Sequence, residues 1–156
     1  NFEDDRYRDE LVQCKYDTIT CINVLEHIYD DLEAIRSMQK ILVCQNGKLL
    51  LFVPAHKILY GSMDIQAGHY RRYSKEHLKK MLVKAGFEIC EIKYFNMFGA
   101  IPWFVNNRIL KKNLDAHSVN IQIKVFDNYI VPMMKWLEHR IKPIFGQSVV
   151  AVARAK

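Results

Sequence analysis

Residues 17–25 read Asp-Thr-Ile-Thr-Cys-Ile-Asn-Val-Leu, a β-branched and apolar run with no helical stripe. That pattern predicts a strand over 17–23 of the kind buried in a parallel sheet. Asp30 or Asp31 then offers an N-cap, and Leu32, Ile35, Met38 and Leu42 recur at helical spacing until Asn46-Gly47 breaks the pattern. Residues 48–53 form a second apolar run stopped by Pro54, and the order strand, helix, strand predicts a right-handed βαβ unit with a parallel sheet. Ser74 caps the next helix, Glu76 lies in its positive first turn, Leu78, Met81, Leu82 and Ala85 share one face, and Gly86 ends it.

From 87 to 95 the residues alternate, with Phe87, Ile89, Glu91 and Lys93 on one side and Glu88, Cys90, Ile92 and Tyr94 on the other. This predicts a strand near a sheet edge. A last strand is predicted over 148–153. The stretch 96–147 between them is too long for a structureless loop, and its apolar content with Pro102, Pro132 and Pro143 predicts two or three helices inserted between adjacent strands.

Composition narrows the class. With 156 residues, 50% hydrophobic and 26% charged, the chain is expected to form one folded domain that needs neither disulfides nor a structural metal. Cys14, Cys21, Cys44 and Cys90 contain no Cys-x-x-Cys pair, and the expectation is four buried thiols in a reducing, cytoplasmic setting. The longest apolar run, 97–105, is far short of the roughly 20 residues that span a bilayer. The first residue is Asn1 and the opening stretch is polar, so no signal peptide is expected and the chain reads as part of a longer protein. The net charge of +6 is concentrated in the second half. It favours phosphate-bearing acceptors or anionic lipid surfaces, or else reflects solvated helix faces; no nucleic-acid partner is expected.

In open α/β sheets ligands bind beyond the carboxyl ends of the strands, which directs attention to 23–31 and 54–73. The first reads "NVLEHIYDD". The second gathers His56, Tyr60, Asp64, His69, Tyr70, Arg71, Arg72 and Tyr73 into one long connection, a length usually kept for function.

The strings "YDTITCINVLEHIYDDLEAI" and "NGKLLLFVPAHKILYGSMDIQAGHYRRYSKEHLKKMLVKAGFEI", with the tail "FGQSVVAVARAK", resemble the C-terminal two-thirds of a class I S-adenosylmethionine-dependent methyltransferase. The resemblance implies an α/β fold: a Rossmann-like methyltransferase sheet with its N-terminal strands missing, a single partial domain over 1–156, and 96–147 as a helical insert or cap before the last strand. It also implies S-adenosylmethionine as cofactor, with Asn23, Val24, Leu25 and His27 beside its methionine part; for Val24 and Leu25 core packing is the alternative. The family's Gly-x-Gly-x-Gly turn precedes the matched region, and the six glycines here include no pair two apart. Variants with "LYGSMD" followed by "GHYRRYS" occur with glycan-modifying enzymes, so the expected acceptor is an oxygen of a glycan-related or small molecule. Glu26-His27 is similar to a Glu-x-x-Glu-His metal pattern, but Asn23 replaces the first Glu and leaves only a distant His69 to help, so no metal is expected.

Methyl transfer from a sulfonium needs orientation, a dry pocket and sometimes a base, and His69, His56 and Asp64 are the base candidates. Tyr60, Tyr70, Arg71 and Arg72 are expected on the acceptor side. The two arginines either clamp an acidic or phosphorylated acceptor or anchor the loop to its own carboxylates. Trp103, Phe104, Ile109, Leu110, Phe126, Ile130, Met133, Met134 and Trp136 of the insert either fill a core or cover the acceptor, which leaves room for a lipid-linked substrate at a membrane surface. A non-catalytic binding module lacking the cofactor half is the competing function; a dinucleotide enzyme is disfavoured because its fingerprint is absent. Strand 17–23 is expected either exposed at a sheet edge or paired with another copy as a homo-oligomer, and this chain alone is expected not to bind the cofactor usefully.

Overall fold

The computed structural model describes residues 11, 13–111, 128 and 143–156. Strand β1 (Thr18–Ile22), helix α1 (Asp31–Leu42) and strand β2 (Lys48–Pro54) make the predicted parallel βαβ unit, with Cys21 opposite Leu51. The local chemistry sets its ends. The Asp30 carboxylate accepts from the Glu33 amide at 3.0 Å, and Asn46 takes a left-handed turn at φ 48°. A Cβ on Gly47 would lie 2.8 Å from the Asp17 carbonyl oxygen, so only glycine lets β2 start this close to β1.

A short helix, α2 (Ser62–Gln66), lies within the long connection that leads to α3 (Lys75–Lys84). Strand β3 (Phe87–Phe95), helix α4 (Ala100–Phe104) with a π-turn over Val105–Ile109, and strand β4 (Ser148–Ala155) complete the described chain. The sheet order is β1-β2-β4-β3, and β4 runs antiparallel to both of its neighbours. The mixed sheet thus has β3 at one edge, as its alternation predicts, and β1 at the other among the described residues. The edge position of β1 is one of the two outcomes expected for 17–23.

One face of the sheet is the core. Leu49, Leu51 and Val53 of β2 stand opposite Ala153, Ala151 and Val149 of β4, all fully buried, and α1 and α3 cover them through Ile35, Met38, Leu42, Leu78, Met81 and Leu82. The sequence pattern misplaces half of β3. Its register shifts between Ile89 and Glu91, a bulge that sets Phe87, Ile89, Ile92 and Tyr94 all opposite the buried face of β4. Ile92 and Tyr94 therefore join Phe87 on the core side, where a regular alternation would have turned them away.

That bulge also exposes Cys90, and it corrects the expectation of four buried thiols. Only Cys21 is buried; Cys14 lies in a turn before β1 and Cys44 in the 3-10 turn after α1, and both are exposed. The sheet face away from the helices carries Ile22 and Phe95, 57% and 44% exposed. The first part of the expected insert is helical, with Trp103 and Phe104 half-buried and Ile109 and Leu110 exposed. Phe126, Ile130, Pro132, Met133, Met134 and Trp136 lie outside the described residues. No helix among the described residues is long and apolar enough to cross a membrane.

Candidate active site

The two segments beyond the parallel strands meet at the same end of the sheet. Asn23 leaves β1 with φ 51° while its amide still donates to Phe52 O at 2.9 Å, and a 3-10 turn over Leu25–His27 follows. The longer segment is closed at its base by a bridge between Ala55 and Tyr73, with paired bonds of 2.9 Å from His56 N to Tyr73 O and from Tyr73 N to Pro54 O. The two are stitched together. The Tyr70 amide donates to Glu26 O at 2.8 Å, and the Tyr73 hydroxyl donates to Asp31 Oδ2 at 2.9 Å.

Asp64, on α2 and fully buried, is the hub of the longer segment. Its Oδ1 accepts from Arg72 Nε at 2.8 Å and faces His69 Nδ1 at 2.9 Å, while its Oδ2 accepts from the Gly61 amide at 3.0 Å and Asn107 Nδ2 at 2.7 Å. Burial alone would raise this carboxyl; the Arg72 guanidinium and the hydrogen bonds from Arg72, Asn107 and His69 outweigh it and hold the group below its ordinary value. An ionised Asp64 is an acceptor only, so His69 donates to it from Nδ1, and in the neutral imidazole Nε2 is then the acceptor nitrogen.

That Nε2 faces Glu26 Oε1 at 3.9 Å. Glu26 is fully buried, yet neither carboxylate oxygen has a hydrogen-bond partner. Burial pushes its pKa up, outweighing the opposing influence of its own backbone amide and of the fields of His69, His27 and Arg72. The His27 ring packs edge-on to His69 with centroids 4.7 Å apart, and ligand atoms of Glu26, His27 and His69 all lie within 4.8 Å of one another. Such a set, with Asp64 holding the far nitrogen of the His69 ring, has the donors that a divalent cation uses and a carboxylate that orients one of them.

The structure thus brings together Asp64, His69 and His27 of the sequence-predicted residues. Tyr60 joins them by donating its hydroxyl to the His69 carbonyl at 2.7 Å. Asn23 and Val24 are exposed at the end of β1, whereas the Leu25 side chain is fully buried in the core cluster. Both arginines hold carboxylates of their own chain. Arg72 is locked on Asp64, and Arg71 pairs with Asp31 at 2.9 Å and donates to Tyr29 O at 2.6 Å. Tyr70 is exposed and packs edge-on against Tyr29. His56 forms no hydrogen bond or ion pair with Asp64 or His69; its ring stacks on Tyr94 at 4.5 Å, its backbone has φ 57°, and burial lowers its pKa.

Two participants were not among the sequence-predicted site residues. Glu26 stands between Leu25 and His27 in an incomplete metal pattern, and an acidic residue just after a buried strand is the signal that marks it. Asn107 has none. It reaches Asp64 from the insert, 43 residues away in sequence, donates to Leu59 O and accepts from Met63 N, both at 2.7 Å. Its own carbonyl oxygen would lie 2.5 Å from a Cβ on Gly61.

A family model described as "Methyltransferase domain" matches residues 1–92. A candidate methyltransferase of Bacillus halodurans C-125 is similar in structure, with TM-score 0.53 and 19% identity over 90% of this chain and 64% of that one. A SAM-dependent methyltransferase from Archaeoglobus fulgidus gives TM-score 0.53 and 16% identity over 96% and 63%. The YcgJ protein of Bacillus subtilis gives 0.50 and 15% over 91% and 64%. The chain therefore spans less than two-thirds of the length of these structures, and at such identities the likeness shows the Rossmann-like fold. No curated protein matches in sequence.

Proposed function

Because the chain belongs to the methyltransferase domain family, we propose that the protein it represents transfers a methyl group from S-adenosylmethionine to an oxygen of a glycan-related or other small acceptor, with His69 as the general base. The observation that carries the reading is His69 itself: Nδ1 held by Asp64 at 2.9 Å, Nε2 turned toward the buried Glu26. S-adenosylmethionine supplies the electrophilic methyl group. The chain's own part is to take the hydroxyl proton of the acceptor onto Nε2 as the new C–O bond forms and the sulfonium C–S bond breaks. Asp64 keeps the imidazole in the accepting tautomer, Tyr60 ties the His69 backbone in place, and the Glu26 carboxylate lies where it favours the imidazolium that results. Asn23, Val24 and His27 form the cofactor side in this reading, and Tyr70 with Tyr60 the acceptor side.

His69→Ala tests this in the full-length protein. The expected result is a fall in kcat of at least about tenfold with little change in cofactor affinity; unchanged turnover removes His69 from the chemistry. Methyl transfer by no form of the full-length protein would favour a binding module instead.

A second reading is favoured by the unpartnered Glu26 oxygens. Glu26, His27 and His69 would hold a divalent cation, which would supply Lewis acidity to the acceptor oxygen. Activity lost on chelation and restored by a divalent ion selects it, and activity indifferent to chelation leaves His69 acting as base.

A further inference from the structure

Beside the Asp64–His69 pair opens a cavity of about 680 Å³ lined by Lys57, Ile58, Tyr60, Tyr70, Arg71, Arg72 and Arg108. Four of those seven side chains are cationic and none is acidic. The two arginines expected to bind the acceptor are already compensated, Arg72 by Asp64 at 2.8 Å and Arg71 by Asp31 at 2.9 Å. Lys57 and Arg108 are not: both are exposed, and among the described residues neither pairs with a carboxylate. Arg108 uses one nitrogen to donate to Tyr60 O at 3.1 Å, which holds it at the rim and leaves most of its donors for a ligand. The two cations arrive from separate segments, the connection after β2 and the π-turn of the insert, so they converge on one volume rather than line a solvated helix face.

We propose that this cavity binds a phosphate-bearing group of the acceptor, with Lys57 and Arg108 as its principal charge partners and Tyr60 and Tyr70 as walls for the group it is attached to. Two uncompensated cations match the double charge of a phosphomonoester or diphosphate better than the single charge of a carboxylate, and the guanidinium fork suits phosphate oxygens. Tyr60 binds the His69 carbonyl, and Arg72 and His69 share Asp64 Oδ1, so the anion lies next to the proposed base. The inference rests on the methyltransferase reading for the word acceptor; the anion site itself stands on the cavity alone.

The test is calorimetric titration of the full-length protein with inorganic pyrophosphate and, separately, with S-adenosylmethionine. Saturable pyrophosphate binding is expected, weakened at least about fivefold by Lys57→Ala or Arg108→Gln and unaffected by Lys79→Ala on the exposed side of α3. Equal loss in the Lys79 variant, or no saturable binding, overturns the proposal. Two further arms separate the sources of the phosphate: displacement of pyrophosphate by a soluble sugar phosphate supports a free acceptor, and pyrophosphate-sensitive retention on vesicles containing phosphatidic acid supports a lipid headgroup. Pyrophosphate binding through Lys57 and Arg108 without cofactor binding would sink the methyltransferase reading and keep the anion site. Cofactor binding without pyrophosphate binding would do the reverse.

Discussion

Two carboxylates on neighbouring segments are buried to the same degree and treated in opposite ways. Asp64, in the connection after β2, has four hydrogen-bond donors or an ion partner on every side, and its pKa is held down. Glu26, in the turn after β1, has no hydrogen-bond partner on either oxygen and only His69 Nε2 at 3.9 Å from Oε1, and its pKa is pushed up. His69 stands between them. The difference is one of satisfaction: a hydrogen-bonded buried charge fixes the loop around it, and an unsatisfied one costs stability.

The largest effect should follow from breaking the satisfied side. Asp64→Ala strands the buried Arg72 guanidinium and frees His69 and Asn107, and a loss of about 3–5 kcal/mol is expected in denaturant unfolding. A loss under about 1 kcal/mol would mean that Asp64 anchors nothing. Gly61→Ala comes next. Its Cβ would press on the Asn107 carbonyl at 2.5 Å, a backbone atom that cannot swing aside, and a cost of roughly 1–3 kcal/mol is expected from the same measurement.

The unsatisfied side gives the smallest effect and the opposite sign. A carboxyl whose folded pKa is raised contributes stability below its unfolded pKa and loses it as pH rises through the raised value, so Glu26 costs stability near neutrality. Glu26→Gln should therefore raise the melting temperature at neutral pH by a few degrees, about 1 kcal/mol, and do little at pH 4. Asp64 runs the other way. Its depressed pKa contributes stability above the unfolded value that is lost as pH falls through the folded one.

What was legible in the sequence was local. Asp30 or Asp31 and then Ser74 as caps, Asn46-Gly47 as a break and the apolar runs of β1 and β2 each act within a few residues, and the elements fall where those signals stand, with Asp30 the cap that forms. The bulge in β3 was not legible, because Cys90 and Glu91 are ordinary strand residues and only the buried register of β4 decides which of them is extra. The roles of Arg71 and Arg72 were ambiguous for a related reason. Their carboxylate partners, Asp31 and Asp64, are acidic side chains like any other until the fold brings them within 3 Å. Asn107 was invisible because its partners are backbone and side-chain atoms more than 40 residues away.

The contrast between the two carboxylates is tested most directly by carbon-13 NMR titration of the carboxyl groups, with Glu26→Gln and Asp64→Asn used for assignment. Glu26 is expected to titrate above the ordinary glutamate value and Asp64 below the ordinary aspartate value in the same folded protein. Glu26 titrating at or below its ordinary value, or Asp64 at or above its own, would contradict it.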